Sequence, residues 1–512
     1  MGIQGHIRTS DDIIRRIAAL VPPGTPTPLP LPLVARLRGE TAELLSIMKA
    51  DGRLDERPMK LAMERSVDLH EEGAAARIRD RVVLVTGGAG CVGSRLIPLI
   101  ARLGASKIVI VDSAEDAAAA DPERGTTTYR VDIRDMAAMD AVFADVKPDV
   151  VFHLASIREP GRAEAVVREA IETNVFGTRN VIAACLRHGV GHAIYSSTGK
   201  CFAYITDHVY TGSKKLAEAQ WAIAARTSTS TVFRCTRFTH IMENGLVTHD
   251  IMEGIEKGLV GLHGSDRNFN IQNLRQATHL LVNALALSDE TPVDGFWSAI
   301  DLGWPVNTME LALYHIDKSG RDAAVYFLGV PKGYDESFFR GQFNWNDDFE
   351  YHPLVNALEG HSGFSDSSGT MIGARIQPFS AAALDAELVM LQKALDDASL
   401  DVDQVKGALL RAVMGLSRAI FSGADLSRVI DILWWGAAPE WSGPMAQTAT
   451  RFAKIIGLLA DVVADRIEGP IGAMEPDIAT KLLDIVETLS QVPALAEQRT
   501  RIDRILAAPK AA

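Results

Sequence analysis

Two kinds of hydrophobic pattern share this chain, and they change over at two points. From about residue 80 to 300, short continuous apolar runs alternate with stretches of helical spacing. RVVLV (81–85), KIVIV (107–111), DVVFHL (149–154) and TVFRC (231–235) are β-branched runs of strand length. Between them, residues 94–103, 163–186 and 214–226 carry apolar positions three and four apart. Unbroken apolar strands alternating with helices predict a parallel sheet covered on both faces, the doubly wound α/β class. Such sheets bind ligands outside the carboxyl ends of their strands.

The flanks read differently. Residues 1–79 predict a helical N-terminal region broken by a proline-rich connector, VPPGTPTPLPLPL (21–33). Six prolines in that stretch favour extended backbone, a spacer or an arm lying on another surface. From about 376 to 512 only helical patterns recur, at 402–421, 425–435, 445–466, 476–490 and 497–507. Ser380 is placed to cap a further helix that runs from Ala381. The expected organisation is therefore a helical region 1–79, a nucleotide-binding domain with its substrate-binding part over 80–375, and a helical domain 376–512. Trp434, Trp435 and Trp441 are expected to pack in the core of that last domain.

The first strand runs into Thr86-Gly87-Gly88-Ala89-Gly90-Cys91-Val92-Gly93, with a helix expected from about Ser94. Gly87, Gly90 and Gly93 suit a tight turn, close approach of a pyrophosphate and close helix–strand packing. The helix start, with the amides of Cys91 and Val92, offers free N–H groups and partial positive charge to phosphate. Asp112 ends the second strand 25 residues beyond Gly87, where a carboxylate accepts hydrogen bonds from an adenosine ribose. It repels a 2′-phosphate, and Ser113, Ala114 and Glu115 supply no arginine to hold one, so NAD is expected over NADP. Asp132 and Ile133 after the third strand, and Leu154, Ala155 and Ser156 after the fourth, are expected to line the cofactor.

Tyr210 and Lys214 stand four apart at the start of a helix and so share a face. An ammonium there lowers the phenol's pKa, fitting it to exchange a proton with a hydroxyl whose carbon exchanges hydride with a nicotinamide. Thr198, ending the strand Tyr195-Ser196-Ser197-Thr198, is placed to hydrogen-bond the same oxygen.

In this order the motifs resemble the extended short-chain dehydrogenase/reductase superfamily, and within it the bacterial polysaccharide-biosynthesis branch of nucleotide-sugar epimerases and 4,6-dehydratases. The resemblance runs over about 80–345 and includes TGGAGCVGS, VDIRD (131–135), ETNVFGTRNV (172–181), YSSTGK (195–200) and YTGSKKLAE (210–218). It implies a Rossmann-like sheet, a bound nicotinamide, and a nucleotide-activated sugar that is transiently oxidised at a hydroxyl. It also implies Thr198, Tyr210 and Lys214 as the oxidising set, Asn174 supporting the proton relay, and subunits that pair through their long helices as a homo-oligomer. Two departures stand out. Where dehydratases have Thr-Asp-Lys, this chain has Thr198-Gly199-Lys200, keeping the lysine, a candidate base, and losing the acid that protonates the departing hydroxyl. Positioned acid catalysis is worth roughly 10²–10⁴-fold, so epimerisation is expected over 4,6-dehydration. His240 replaces the branch's usual asparagine near the substrate diphosphate, while Arg158, Arg237 and Arg267 remain as candidate anion ligands. A dehydrogenase for another hydroxylated substrate, or a cofactor-bound assembly subunit without activity, are the alternatives.

Composition narrows this little further. Among 512 residues, 52 basic against 65 acidic side chains give a net charge of −13, which disfavours nucleic acid. Four cysteines without C-x-x-C spacing make neither a disulfide framework nor a zinc site, and no histidine pairing suggests a metal. With no long apolar run to span a membrane, the expectation is a cytoplasmic enzyme. An anionic substrate would then depend on local donors, because the overall field repels it.

Overall fold

The computed structural model describes residues 9–114, 125–242, 246–303, 305–346, 352–437, 450–467 and 474–506. Glu115, Trp441 and the first residues of the 445–466 pattern lie outside them. By contact the chain divides into two compact units, one of Met1–Val67, Thr239–Ala277 and Asp301–Asp335, the other of Asp68–Phe238, Thr278–Ile300 and Glu336–Ala512.

The larger unit is built on a nine-stranded sheet. Strands β1 (Val82–Thr86), β2 (Lys107–Asp112), β3 (Thr126–Arg130), β4 (Val150–His153), β5 (His192–Thr198) and β6 (Val232–Phe238) run in the spatial order β3-β2-β1-β4-β5-β6. All five pairings among them are parallel. Gly295–Ala299 adds in parallel to β6, and Met371–Arg375 and Phe364–Ser365 close that edge antiparallel. This is the Rossmann-like doubly wound sheet that the sequence predicts. The chain reverses direction across the sheet between β1 and β4, which makes that crevice the place for a ligand. The interior of β1 is buried because Val83, Leu84 and Val85 pack on both faces.

The C-terminal helices form where the periodicity places them: Ala381–Asp396, Val402–Gly423, Leu426–Ala437, Ala453–Arg466, Pro476–Ser490 and Ala496–Leu506. Ser380 caps the first through Ala383 N, and Asp401 with Gln404 forms a capping box on the second. These helices do not close on a core of their own. Leu409, Val413 and Leu416 join one hydrophobic cluster with Val175, Val209 and Leu216 of the nucleotide-binding part. In consequence the helix Val209–Thr227 is buried nearly all round, with Lys214, Lys215, Glu218 and Gln220 also out of solvent. Trp435 is buried in the same cluster, and half-buried Trp434 donates to Asp484 Oδ2 at 3.1 Å.

The smaller unit draws on distant parts of the sequence. The helices Ser10–Leu20 and Leu31–Ala50 pack on the parallel pair Leu259–Leu262 and Ala324–Phe327, where Thr41 Oγ1 accepts from Val325 N at 3.0 Å. Ile13, Ile17, Leu37 and Leu44 share its core with Ile255, Leu313 and Val325. The N-terminal region is thus an integral layer of this unit. Its proline run is shorter than predicted, because Leu31–Leu33 already form the first turn of a helix with proline in its opening positions. No described helix is long and apolar enough to cross a membrane.

Candidate active site

The glycine turn has the geometry its spacing demands. Gly87 adopts φ +70°, and a β-carbon there would lie 2.6 Å from Ala155 N, the start of the loop after β4. On Gly93 it would lie 2.6 Å from Gly88 Cα, so only glycine lets the helix pack this closely. That helix begins at Cys91, three residues earlier than predicted, and Gly90 offers its first amides no side-chain cap. A helix start of this kind carries partial positive charge that favours a phosphate. Asp112 accepts from Ala89 N at 3.0 Å and from Ala114 N at 3.1 Å, tying the turn to the end of β2, with Ser113 exposed beside it. Leu154 N and Ala155 N lie 3.3 and 3.4 Å from the Thr86 hydroxyl, which fixes the β1–β4 crevice.

Asn174 sits in a π-helical turn, Glu172–Gly177, and works as a clamp. Its amide accepts from Ile157 N (2.8 Å) and donates to Ile157 O and Ser213 Oγ (3.0 Å each). The loop carrying Ser156 and Arg158 is thereby tied to the helix that carries Tyr210. Ile133 is buried against Gly177, and Asp132 is held by Arg134, whose Nη2 and Nε reach Oδ2 at 2.6 and 2.9 Å.

Thr198, Tyr210 and Lys214 come together at the carboxyl end of β5. Burial pushes the Tyr210 phenol up to about 12, while the Thr198 hydroxyl and the charge of Arg158 work against the rise. The expected lowering of this phenol is therefore absent; burial outweighs the neighbouring charges. Lys214 is almost fully buried, and burial brings it down to about 8. Its Nζ donates to Ser196 O at 2.8 Å and stands 4.4 Å over the Tyr195 ring. Tyr195, His153 and Trp221 form one ring cluster, with centroids 5.4 Å (Tyr195–His153), 5.1 Å (Tyr195–Trp221) and 5.8 Å (His153–Trp221) apart. His153 is buried between the hydroxyls of Thr86 (2.7 Å) and Thr178 (2.9 Å), and burial together with the Lys214 charge holds it down at about 3. A neutral aromatic floor thus supports the lysine.

Three expectations change. Gly199 faces Leu354, whose Cδ2 would lie 2.0 Å from a β-carbon there, so the missing acid has been replaced by apolar volume. Lys200, expected as a base, is ion-paired with Glu336 at 2.9 Å. Arg237, expected as an anion ligand, is buried with every N–H engaged: Nε and Nη2 on Glu218 (3.0 and 2.6 Å), Nη1 and Nη2 on Glu359 (2.7 and 2.6 Å), and Nη1 also on Leu354 O (2.8 Å). It has no donor left for a phosphate. His240 and Arg267 belong to the smaller unit, where His240 packs on the Phe269 ring and Arg267 Nε lies 3.2 Å from Asp266. Glu336 and Leu354 were not foreseen. Both come from irregular segments with no periodicity, more than a hundred residues along the chain from the groups they touch.

A model of the family described as polysaccharide biosynthesis protein matches residues 83–334. The capsular polysaccharide biosynthesis protein CapD of Staphylococcus aureus is 25% identical over 301 residues, 56% of this chain and 48% of its own length. The probable polysaccharide biosynthesis protein EpsC of Bacillus subtilis is 25% identical over 338 residues, 62% and 54% of the two chains. The chain thus spans about half the length of these curated relatives. The solved structure of a dTDP-glucose 4,6-dehydratase from Streptomyces venezuelae aligns at 22% identity with TM-score 0.43, covering 49% of this chain and 86% of that one. Over residues 83–334, just under half of its length, this chain is similar to the polysaccharide biosynthesis proteins, in agreement with the resemblance its motifs bear to the nucleotide-sugar epimerases and dehydratases of the extended short-chain dehydrogenase/reductase superfamily.

Proposed function

We propose that the chain binds NAD and a nucleotide-linked sugar and inverts one carbon of that sugar through a transient ketone. The observation that carries this reading is the placement of Thr198, Tyr210 and Lys214 at the end of β5, on the sheet whose β1–β4 crevice holds the uncapped glycine turn. The residues present fit a dinucleotide. Gly87, Gly90 and Gly93 leave room for a pyrophosphate at the positive end of the helix, and the Asp112 carboxylate meets a ribose and repels a 2′-phosphate. A nicotinamide bound there supplies the acceptor for hydride.

The chain's own part is proton handling and orientation. Thr198 and Tyr210 hold the substrate hydroxyl between them, and Tyr210 takes its proton as the carbon is oxidised. Lys214, charged below about pH 8, stabilises the phenolate against the burial that disfavours it. Asn174 keeps the loop after β4 in register with the Tyr210 helix. Tyr210 would give the proton back to the oxygen when the carbon is reduced from its opposite face, which yields the epimer. Elimination of water is disfavoured because Leu354 fills the space an acid at position 199 would need.

Incubation of the purified protein with UDP- and dTDP-linked hexoses, followed by NMR, tests this reading. Formation of an epimer, abolished by Tyr210→Phe, is the expected result. Accumulation of a 4-keto-6-deoxy sugar, or stoichiometric release of NADH, would overturn it.

A further inference from the structure

Hydride and proton transfer account for Thr198, Tyr210 and Lys214 but leave a charged pair beside them unexplained. Glu336 has only 10% of its side chain exposed, on an irregular segment that ends in the turn Arg340–Gln342. A carboxylate in such a place costs several kcal/mol unless it is paired and hydrogen-bonded. Here it is both. Oε2 accepts from Lys200 Nζ at 2.9 Å and from Thr211 Oγ1 at 3.1 Å, and Oε1 accepts from Thr206 Oγ1 at 2.8 Å. His208 Nδ1 stands 3.9 Å from Oε2.

Every partner of this carboxylate belongs to the stretch that carries the oxidising residues. Thr211 adjoins Tyr210, Lys200 follows Thr198 by two residues, and Glu336 is among the charges that act on the Tyr210 phenol. Lys200 keeps 24% of its side chain exposed while it remains paired. Meanwhile the position before it is closed: a side chain on Gly199 would collide with Leu354, whose carbonyl is fixed by Arg237.

We propose that Glu336 is a positioning residue that holds the Lys200 head group in an ion pair, so that Lys200 meets a substrate oxygen and does not reach the C5 proton. This rests on the nucleotide-sugar reading above. The reaction then breaks and remakes only the C–H and O–H bonds of the inverted carbon. Its hydride, with two electrons, would pass to a nicotinamide held at the glycine turn and return, and its hydroxyl proton would pass to Tyr210 and return. The C–H bond at C5 stays intact throughout.

The test uses the full-length protein in heavy water with the nucleotide-hexose it turns over, comparing wild type, Glu336→Gln and Glu336→Asp. Wild type is expected to form product with no deuterium at C5. Glu336→Gln should lose at least tenfold in kcat/KM and admit deuterium at C5, and Glu336→Asp should recover most of the rate. Deuterium at C5 in the wild-type product would overturn the proposal. A second measurement needs no substrate: acylation of Lys200 at pH 8, read by peptide mass, should rise at least threefold in Glu336→Gln. Unchanged labelling would overturn the pairing whatever the reaction is. If instead labelling rises and no nucleotide sugar is turned over, the substrate reading fails and the anchor role with it, while the pairing stands.

Discussion

Leu354 occupies the volume that a side chain on Gly199 would need: its Cδ2 lies 2.0 Å from where the β-carbon would stand. The two residues come from β5's end and from a loop 155 positions later, yet they determine together whether an acid can sit beside Thr198.

A double-mutant cycle measures this exclusion. Gly199→Ala alone should cost about 1–3 kcal/mol by overpacking, and Leu354→Ala alone about 2–5 kcal/mol through the cavity it leaves. The pair combined should cost less than the sum by about 1 kcal/mol or more. Urea unfolding of the four proteins reads the coupling; strict additivity would mean that the two sites do not compete.

Arg237 should behave as a structural residue. Replacing it by Met leaves Glu218 and Glu359 buried without their common cation, a loss of about 3–5 kcal/mol. Per folded molecule, KM for the nucleotide sugar should stay within about twofold, since no N–H of Arg237 is free. A raised KM with unchanged stability would restore its role as a phosphate ligand.

The Glu336 carboxyl makes stability sensitive to acid. Burial alone would raise its pKa, but His208, Lys200 and Thr206 around it prevail and hold it near 2, against an ordinary 4.5. A carboxylate lowered on folding contributes stability that is complete above pH 4.5 and is lost as pH falls towards 2. The contribution is about 3 kcal/mol at neutral pH. Glu336→Gln should therefore be less stable at pH 7 and flatter across that acidic window, as denaturant midpoints taken at successive pH values would reveal.

Activity should fall on the alkaline side. Burial brings Lys214 down to about 8, so its positive charge is present below that pH and lost above it. The Tyr210 phenol is held up near 12 by burial, and in the proposed reaction its proton uptake draws on that charge. The expected profile of kcat/KM declines about tenfold per unit above pH 8, and Lys214→Arg should move the decline upward. A flat profile to pH 10 would show that Lys214 is not needed as a cation.

Local signals on the chain carried the sheet and its chemistry a long way. The apolar runs at 81–85, 107–111, 149–154 and 231–235 each became a strand, because a strand buried on both faces needs only a short β-branched run. The glycine spacing and the Tyr210–Lys214 spacing were equally readable, since a tight turn and one helix face are set by residues a few positions apart. The Ser380 cap was visible for the same reason.

Tertiary structure alone decided what those local groups experience. The Tyr210 phenol is shifted up and not down, because burial in the folded chain outweighs the neighbouring charges. Arg237 meets Glu359, Lys200 meets Glu336 and Gly199 meets Leu354 across separations of more than a hundred residues. No pattern along the chain encodes such meetings; they follow from which loops the packed core brings to the ends of β5 and β6. The residues proposed to oxidise a hydroxyl were thus named from the sequence. Their charge states, and the closing of the acid's place, depend on burial and pairing that exist only once the chain is folded.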